Sequence, residues 1–457
     1  MTRFLPLLLI ACSASPSRPA AKPVATDADP EGPHRAAVAA QVKPYLDGEI
    51  VSGLVIGLYA AGKLEIYGFG KGPGGGAPDG RTLFEIGSIT KVFTGVLLAD
   101  AVQRKEVELD TPVAELLPAG VTVPTADKVA ITLRHLALHG SGLPRLPPRI
   151  APTAANPYAK YTEEELYRDL VSTELEAPPG QRIIYSNFGA GLLGFALGRK
   201  IGPGYMKALE TRVIKPLGLT DTFFVVPPEA AKRRAIGTDV DLQPVPLWTW
   251  TDALAGAGGL TSSVRDQLKL IEAELDAAAG GKSTLRGALR FTQEEQLEET
   301  PSDNAGLGWM IDTKGRYHHN GGTSGARSFI AFDPKSRHGV VVLASTGSSL
   351  VDRLGGIMLD LLAKTAKPPG PLASPAQLTA YAGTYDLAGT RLQIVLANHR
   401  LYLEGPGEPR HRMVPVTDVA FWIEALQSVA FFHKEGDAIK HVVFQIGDRQ
   451  LVAPRVP

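Results

Sequence analysis

Two polar side chains stand at the mouth of an apolar run. Phe84-Glu85-Ile86-Gly87-Ser88-Ile89-Thr90-Lys91 leads into Val92, Phe93, Val96, Leu97 and Leu98. The spacing of those apolar residues predicts a buried helix that begins near the serine. Three residues apart on a helix, Ser88 and Lys91 share a face, so an amine can hydrogen-bond the hydroxyl and accept its proton. The helix N-terminus adds a potential that favours developing negative charge. This is the equipment of an activated nucleophile, although a chain of this length carries about one or two Ser-x-x-Lys pairs by chance.

Two further segments carry compatible chemistry. Tyr185-Ser186-Asn187 follows a Pro178-Pro179-Gly180 turn and precedes the helical pattern of Ala190 to Leu197. Tyr185 offers a phenol that relays protons if a nearby Lys91 ammonium lowers its pKa, and Asn187 offers a donor and an acceptor to a substrate amide. The plainer alternative is a core tyrosine followed by a helix cap. His318-His319-Asn320-Gly321-Gly322-Thr323-Ser324-Gly325 then precedes a strand-like run, Arg327 to Phe332. Glycines facing a cleft let substrate backbone approach, and the Gly322 amide is placed to pair with that of Ser88 as an oxyanion hole. No His-Glu-x-x-His or carboxylate-rich spacing makes the histidines a metal centre.

In this order the three segments resemble the serine β-lactamase and penicillin-binding superfamily, and more narrowly its branch of class C β-lactamases, low-molecular-weight D,D-peptidases and related esterases. The similarity spans about His34 to Lys364 and includes Ile131-Thr132-Leu133-Arg134-His135-Leu136, Ser141-Gly142-Leu143, and Gly256 to Ser263 with Asp266. The tail from Leu378-Thr379-Ala380-Tyr381-Ala382-Gly383-Thr384-Tyr385 is similar to a lipocalin-like β domain often appended to this branch. The resemblance implies that Ser88 attacks a carbonyl and that Lys91 and Tyr185 share the acid and base work. It further implies that Asn187 orients the substrate amide and that the Ser88 and Gly322 amides hold the oxyanion, with neither metal nor organic cofactor.

His319, Asn320 and Gly321 occupy the third substrate-binding motif, where class C enzymes usually have Lys-Thr-Gly. A lysine there can hold a substrate carboxylate, whereas an unperturbed histidine is mostly neutral at neutral pH. Arg327 is an alternative cation, though a solvated surface arginine is the commoner case. Trp248 and Trp250 either wall the cleft or pack in the core, and His135 and His139 read as structural. The expected reaction is acyl transfer to water through acyl-Ser88, on a β-lactam, a D-amino-acid peptide of the peptidoglycan type, or a small carboxylic ester. Two readings from other classes are a non-catalytic penicillin- or muropeptide-binding protein and an envelope scaffold that docks a partner through the tail.

These residues need a frame. Ala36 to Leu46 has helical spacing, and Gly53–Tyr59 and Lys63–Phe69 read as a hairpin through Ala60-Ala61-Gly62. A helical and loop-rich middle runs to about Ala279. Strand character returns at Tyr317–His319, Arg327–Phe332 and Gly339–Ser345, followed by a helix over Leu350 to Lys364. The fold class expected is α+β: one antiparallel sheet assembled from both chain ends with helices on both sides, an all-α lobe, and a small all-β domain. Pro368-Pro369-Gly370-Pro371 marks the boundary, giving a hydrolase domain over residues 35–367 and a β-barrel-like domain over 368–457. The glycine-dense Gly70–Gly80 reads as a mobile loop. Gly281-Lys282-Ser283 is no phosphate loop, because Asp276 stands where its first glycine is needed.

The 457 residues are 44% hydrophobic and 21% charged, ordinary for a chain with a large core. Lys+Arg and Asp+Glu are 47 each, so no whole-chain field draws nucleic acid, and a small molecule or peptide is the expected partner. The single cysteine, Cys12, excludes an internal disulfide framework and a thiolate metal cluster. It ends a leader in which Arg3 precedes the apolar Phe4–Ala11, and Leu9-Ile10-Ala11-Cys12 resembles a bacterial lipoprotein signal. Residues 1–12 are thus expected to be a signal peptide with lipidation at Cys12. Residues 13–34, rich in Pro, Ala and Asp, are expected to be a flexible tether to the membrane of the cell envelope, on the periplasmic or extracellular side.

Overall fold

The computed structural model describes residues 28–457 except 152–154, 281–282, 295–296, 301–302 and 437. The leader with Cys12, the tether up to residue 27, and Gly281 and Lys282 lie outside the described residues. After helix α1 (Arg35–Asp47) come strands β1 (Gly53–Ala60) and β2 (Lys63–Gly70). Their two-residue turn places Ala61 at φ 50° and Gly62 at φ 82°, the left-handed pair that matches strand twist. From the other part of the chain come β5 (Leu297–Thr300), β6 (Asp303–Ala305), β7 (Met310–Ile311), β8 (Tyr317–Gly322), β9 (Arg327–Asp333) and β10 (His338–Ala344). Together they form an eight-stranded sheet in the order β2-β1-β10-β9-β8-β7-β6-β5. Every pairing in it is antiparallel, and β1 meets β10 from Leu54↔Ala344 to Ala60↔His338. β5 and β6 are short and largely polar and β7 is only two residues long, so none carries a strand signal in the sequence.

The sheet is covered on both faces, so its central strands are apolar on both. Leu54, Ile56 and Leu58 pack with Val340, Val342 and α10 (Leu350–Leu362). Val55, Tyr59, Ile330, Phe332, Val341 and Leu343 join the other core, which includes α8 (Val264–Ala278) and the helical lobe. That lobe is built around α2 (Thr90–Gln103) and α5 (Asn187–Ile201), with α3 (Leu133–Ala137), α4 (Glu163–Ser172), α6 (Tyr205–Leu209), α7 (Pro228–Ala231) and α9 (Thr284–Thr292). Every residue of α2 from Thr90 to Ala101 is buried, which is why its pattern is apolar all round rather than amphipathic. A two-stranded ribbon, β3 (Phe84–Glu85) with β4 (Thr261–Ser262), ties the segment before Ser88 to the loop after Gly256.

After α11 (Pro375–Tyr381) the tail closes into a barrel of eight antiparallel strands: β11 (Gly383–Leu387), β12 (Thr390–Ala397), β13 (Arg400–Glu404), β14 (His411–Pro415), β15 (Ala420–Ile423), β16 (Ser428–Glu435), β17 (Ala438–Ile446) and β18 (Arg449–Val456). Closure leaves no free edge, and Tyr381, Tyr385, Phe421 and Phe432 fill one end of its interior. The barrel docks on the sheet domain. Arg412 donates to the carbonyls of Gly48 (3.0 Å), Glu49 (3.1 Å) and Val240, and Arg400 pairs with Glu49 at 2.6 Å.

Candidate active site

Ser88 sits half-buried in a 3₁₀ turn, Gly87–Ile89, that runs directly into α2. Gly87 takes φ +48°, and a Cβ there would stand 2.6 Å from the Gly322 nitrogen. Only glycine lets the turn lie this close to β8. Lys91, one turn on, is 5% exposed. Its Nζ lies 3.0 Å from Ser88 Oγ, 2.9 Å from Asn187 Oδ1 and 2.7 Å from the Ala257 carbonyl. Burial, reinforced by the charge of Arg145, holds the Lys91 pKa well below the usual lysine range. The free amine has two N–H groups, enough for the Asn187 and Ala257 oxygens, which leaves its lone pair for the Ser88 O–H. Ser88 is therefore presented to an amine able to act as a base.

Tyr185 completes this wall. Its hydroxyl is near enough to Ser88 for the serine to favour the ionised phenol, its ring centroid is 4.8 Å from Lys91 Nζ, and the imidazole of His139 packs against it at 4.4 Å. The lowered phenol expected from the sequence is not what the structure gives. Burial pushes the Tyr185 pKa up to about 12, outweighing the effect of Ser88 and the charge of Arg145. At neutral pH Tyr185 is a protonated phenol, able to donate rather than accept, which leaves Lys91 as the group placed to act as a base.

Both readings of Tyr-Ser-Asn hold at once. Ser186 is the N-cap of α5, its Oγ accepting from the Gly189 N–H (2.8 Å) and donating to the Pro144 carbonyl (2.7 Å). The cap fixes the helix start, and Asn187, its first residue, turns Oδ1 to Lys91 and Nδ2 to the Tyr158 hydroxyl (3.4 Å). Tyr158 stacks on Trp250 at 3.8 Å and meets Trp248 edge-on, so the two tryptophans form an aromatic wall beside Asn187.

The opposite wall is β8, whose residues alternate between faces. His319 and Gly321 face the helical lobe. Ser328 on β9 donates to the Ile86 carbonyl at 2.8 Å, and a Cβ on Gly321 would stand 2.0 Å from that same oxygen. Glycine 321 thus allows β8 to press on the Ser88 turn, bringing the Gly322 backbone to Gly87. His319 is 3% exposed, its Nδ1 is 2.6 Å from the Asn320 carbonyl, and burial beside Lys91 pushes its pKa down to about 3. It is a neutral imidazole.

Asn320 departs from the expected substrate-binding role. Alternation sends its side chain to the other face of the sheet, where Nδ2 donates to Asp352 Oδ2 of α10 at 2.6 Å. Arg327 also leaves the cleft, pairing with Glu424 next to the barrel's β15 at 3.2 Å.

Four residues at the site were not singled out in these roles by the sequence. His139 accepts from the Ser186 N–H (3.2 Å) and packs on Tyr185, whereas His135 serves the capping box of α3, as a structural residue should. Buried Glu85 accepts from the Trp248 N–H (2.6 Å) and the Thr323 hydroxyl (2.8 Å), joining the aromatic wall to the end of β8. Tyr158 lies in a loop with no local signal. Arg145 stands just beyond Ser141-Gly142-Leu143, a position the sequence offers only as a loop. Beside the site a cavity of about 360 Å³ is lined by Lys91, Tyr185, His139, His319, Ile183 and Met310 among others, and its surface is mainly apolar.

Residues 35–365 match the Beta-lactamase family. The chain belongs to that family. Among curated members, the D-alanyl-D-alanine-carboxypeptidase/endopeptidase AmpH of Escherichia coli (strain K12) is 28% identical over 283 residues, covering 59% of this chain and 72% of that protein. A protein named Beta-lactamase from the same strain is 28% identical over 303 residues, covering 58% of this chain and 76% of its own. A crystal structure of the class C β-lactamase from Rhodobacter sphaeroides superposes with a TM-score of 0.62 at 28% identity, covering 72% of this chain and 99% of that one. The Beta-lactamase family member described here is a β-lactamase-related serine hydrolase, with a closed β-barrel added after the family domain.

Proposed function

We propose that this hydrolase opens β-lactam or D-amino-acid peptide bonds of the peptidoglycan type by way of acyl-Ser88. The observation that carries the reading is the Lys91 amine, desolvated and 3.0 Å from Ser88 Oγ. Lys91 takes the hydroxyl proton as Oγ adds to the substrate carbonyl, and the new oxyanion is held by the amides of Ser88 and Gly322. As the carbon–nitrogen bond breaks, Tyr185 donates its proton to the departing nitrogen and is reprotonated from Lys91. Water then adds to the ester, giving its proton to Lys91, and Ser88 leaves with a proton returned to Oγ. Relatives named as a carboxypeptidase/endopeptidase and as a β-lactamase support this substrate class.

A second reading, hydrolysis of small carboxylic esters, is favoured by the neutral His319 and the largely apolar cavity beside Tyr185. Intact-mass measurement of the form beginning at Ser13, after brief exposure to a fluorophosphonate or to a penicillin, separates the readings. Both adducts are expected, and both vanish in Ser88→Ala. Labelling by the fluorophosphonate alone supports the esterase, and labelling by neither removes the acyl-serine mechanism. We further infer that Cys12 is lipidated and that the hydrolase works at the cell envelope, on the strength of the leader sequence. Metabolic labelling with a clickable fatty acid, lost in Cys12→Ala, is the expected result.

A further inference from the structure

Of the side chains singled out at the cleft, His319, Arg327 and Arg145 are candidates for an anionic group of a substrate, and two are disqualified. His319 is neutral through burial, and Arg327 is committed to Glu424 and to the Gly347 carbonyl. Arg145 differs from both. It is exposed, and among the described residues no carboxylate pairs with it and no acceptor receives its guanidinium. Its backbone is fixed, since its carbonyl accepts the Asn187 N–H at 2.9 Å. The guanidinium carbon stands 5.2 Å from the Tyr185 ring centroid. Its charge reaches Lys91, Tyr185, His139 and Tyr158. A cation this near the reacting groups, with its donors free, is suited to a carboxylate that arrives with the substrate.

The end of the cleft it serves follows from its neighbours. In the acyl-Ser88 reading Asn187 orients the substrate amide; its N–H is bonded to the Arg145 carbonyl, and the guanidinium charge acts on Tyr158, whose hydroxyl accepts from Asn187 Nδ2. The cavity lined by Ile183, Met310 and His319 lies beside Tyr185, the donor to the leaving group, and Arg145 is not among its walls. We propose that Arg145 binds a carboxylate on the acyl side of the substrate, so that anion recognition has moved from the third motif to the Asn187 end of the cleft. This rests on the acyl-Ser88 reading given above.

Three esters test it: p-nitrophenyl hexanoate, the mono-p-nitrophenyl ester of adipic acid, and the hexanoyl ester of 3-hydroxybenzoic acid, which carries its carboxylate in the leaving group. For wild type, Arg145→Gln and Arg145→Lys, kcat/KM is measured on each. In Arg145→Gln the ratio of adipate monoester to p-nitrophenyl hexanoate is expected to fall about tenfold or more, chiefly through KM, while Arg145→Lys retains part of it. A ratio unchanged in Arg145→Gln overturns the proposal, and so does a loss that follows the 3-hydroxybenzoate ester instead. If wild type turns over none of the three and takes no fluorophosphonate on Ser88, the acyl-serine reading itself has failed and the proposal falls with it.

Discussion

The two walls of the cleft are built on different principles. On the helical side, chemistry sits in side chains: Lys91 bonds directly to Ser88 and Asn187 and lies 4.8 Å from the Tyr185 ring centroid, with Ser88 and Asn187 each at a helix start. On the β8 side, the contribution is mostly backbone and space, with Gly321 and Gly322 pressed against the Ser88 turn and His319 neutral. The difference teaches that, under the proposed acyl-Ser88 mechanism, activation of the serine and recognition of the substrate are assigned to separate walls. A protein can retain the first wall intact while the second changes its charge.

The comparison breaks first at Lys91. Lys91→Met should lower the acylation rate by about 10³-fold, because a general base of this kind contributes about 10²–10⁴. In wild type, only the deprotonated amine serves. The rate should therefore rise with pH through the depressed Lys91 pKa, reach its plateau below the usual lysine range, and show no loss from Tyr185 until pH approaches about 12. Stopped-flow acylation across pH checks both limbs; an ascending limb in the ordinary lysine range would contradict a desolvated amine.

Next in size is Gly321→Ala. Its Cβ would stand 2.0 Å from the Ile86 carbonyl, so β8 must retreat from the Ser88 turn. Acylation should fall about 10²-fold, as for loss of one oxyanion donor, and the melting temperature should drop as well. Smallest is Asn320→Ala, which removes the bond to Asp352 on the far face. Its expected cost is about 1–3 kcal/mol in stability, read by chemical denaturation, with kcat/KM unchanged. A selective rise in KM would return Asn320 to the cleft and undo the division between the faces.

Much of this was legible beforehand because it is local. The i, i+3 spacing of Ser88 and Lys91, the cap at Ser186 before α5, and the hairpin of β1 and β2 each depend on short-range geometry that residue type reports directly. The short strands β5–β7 were not legible, since two to four residues make no alternating pattern and their pairing is set by the neighbouring strand. Nor was the protonation of Tyr185, where burial from elements distant in the chain outweighs the nearby cation.

By itself, the sequence determined the spacing of Ser88 and Lys91, the helix that carries them, the order of the three segments and the absence of a lysine from the third. Only the tertiary structure decided which face of β8 each residue takes, which draws Asn320 to Asp352 and leaves His319 at the site. It likewise decided that Arg327 pairs with Glu424 while Arg145 stands free among the described residues beside Tyr185. Sheet register and the docking of separate elements set these environments, and charge, desolvation and reach are properties of an environment rather than of a residue type.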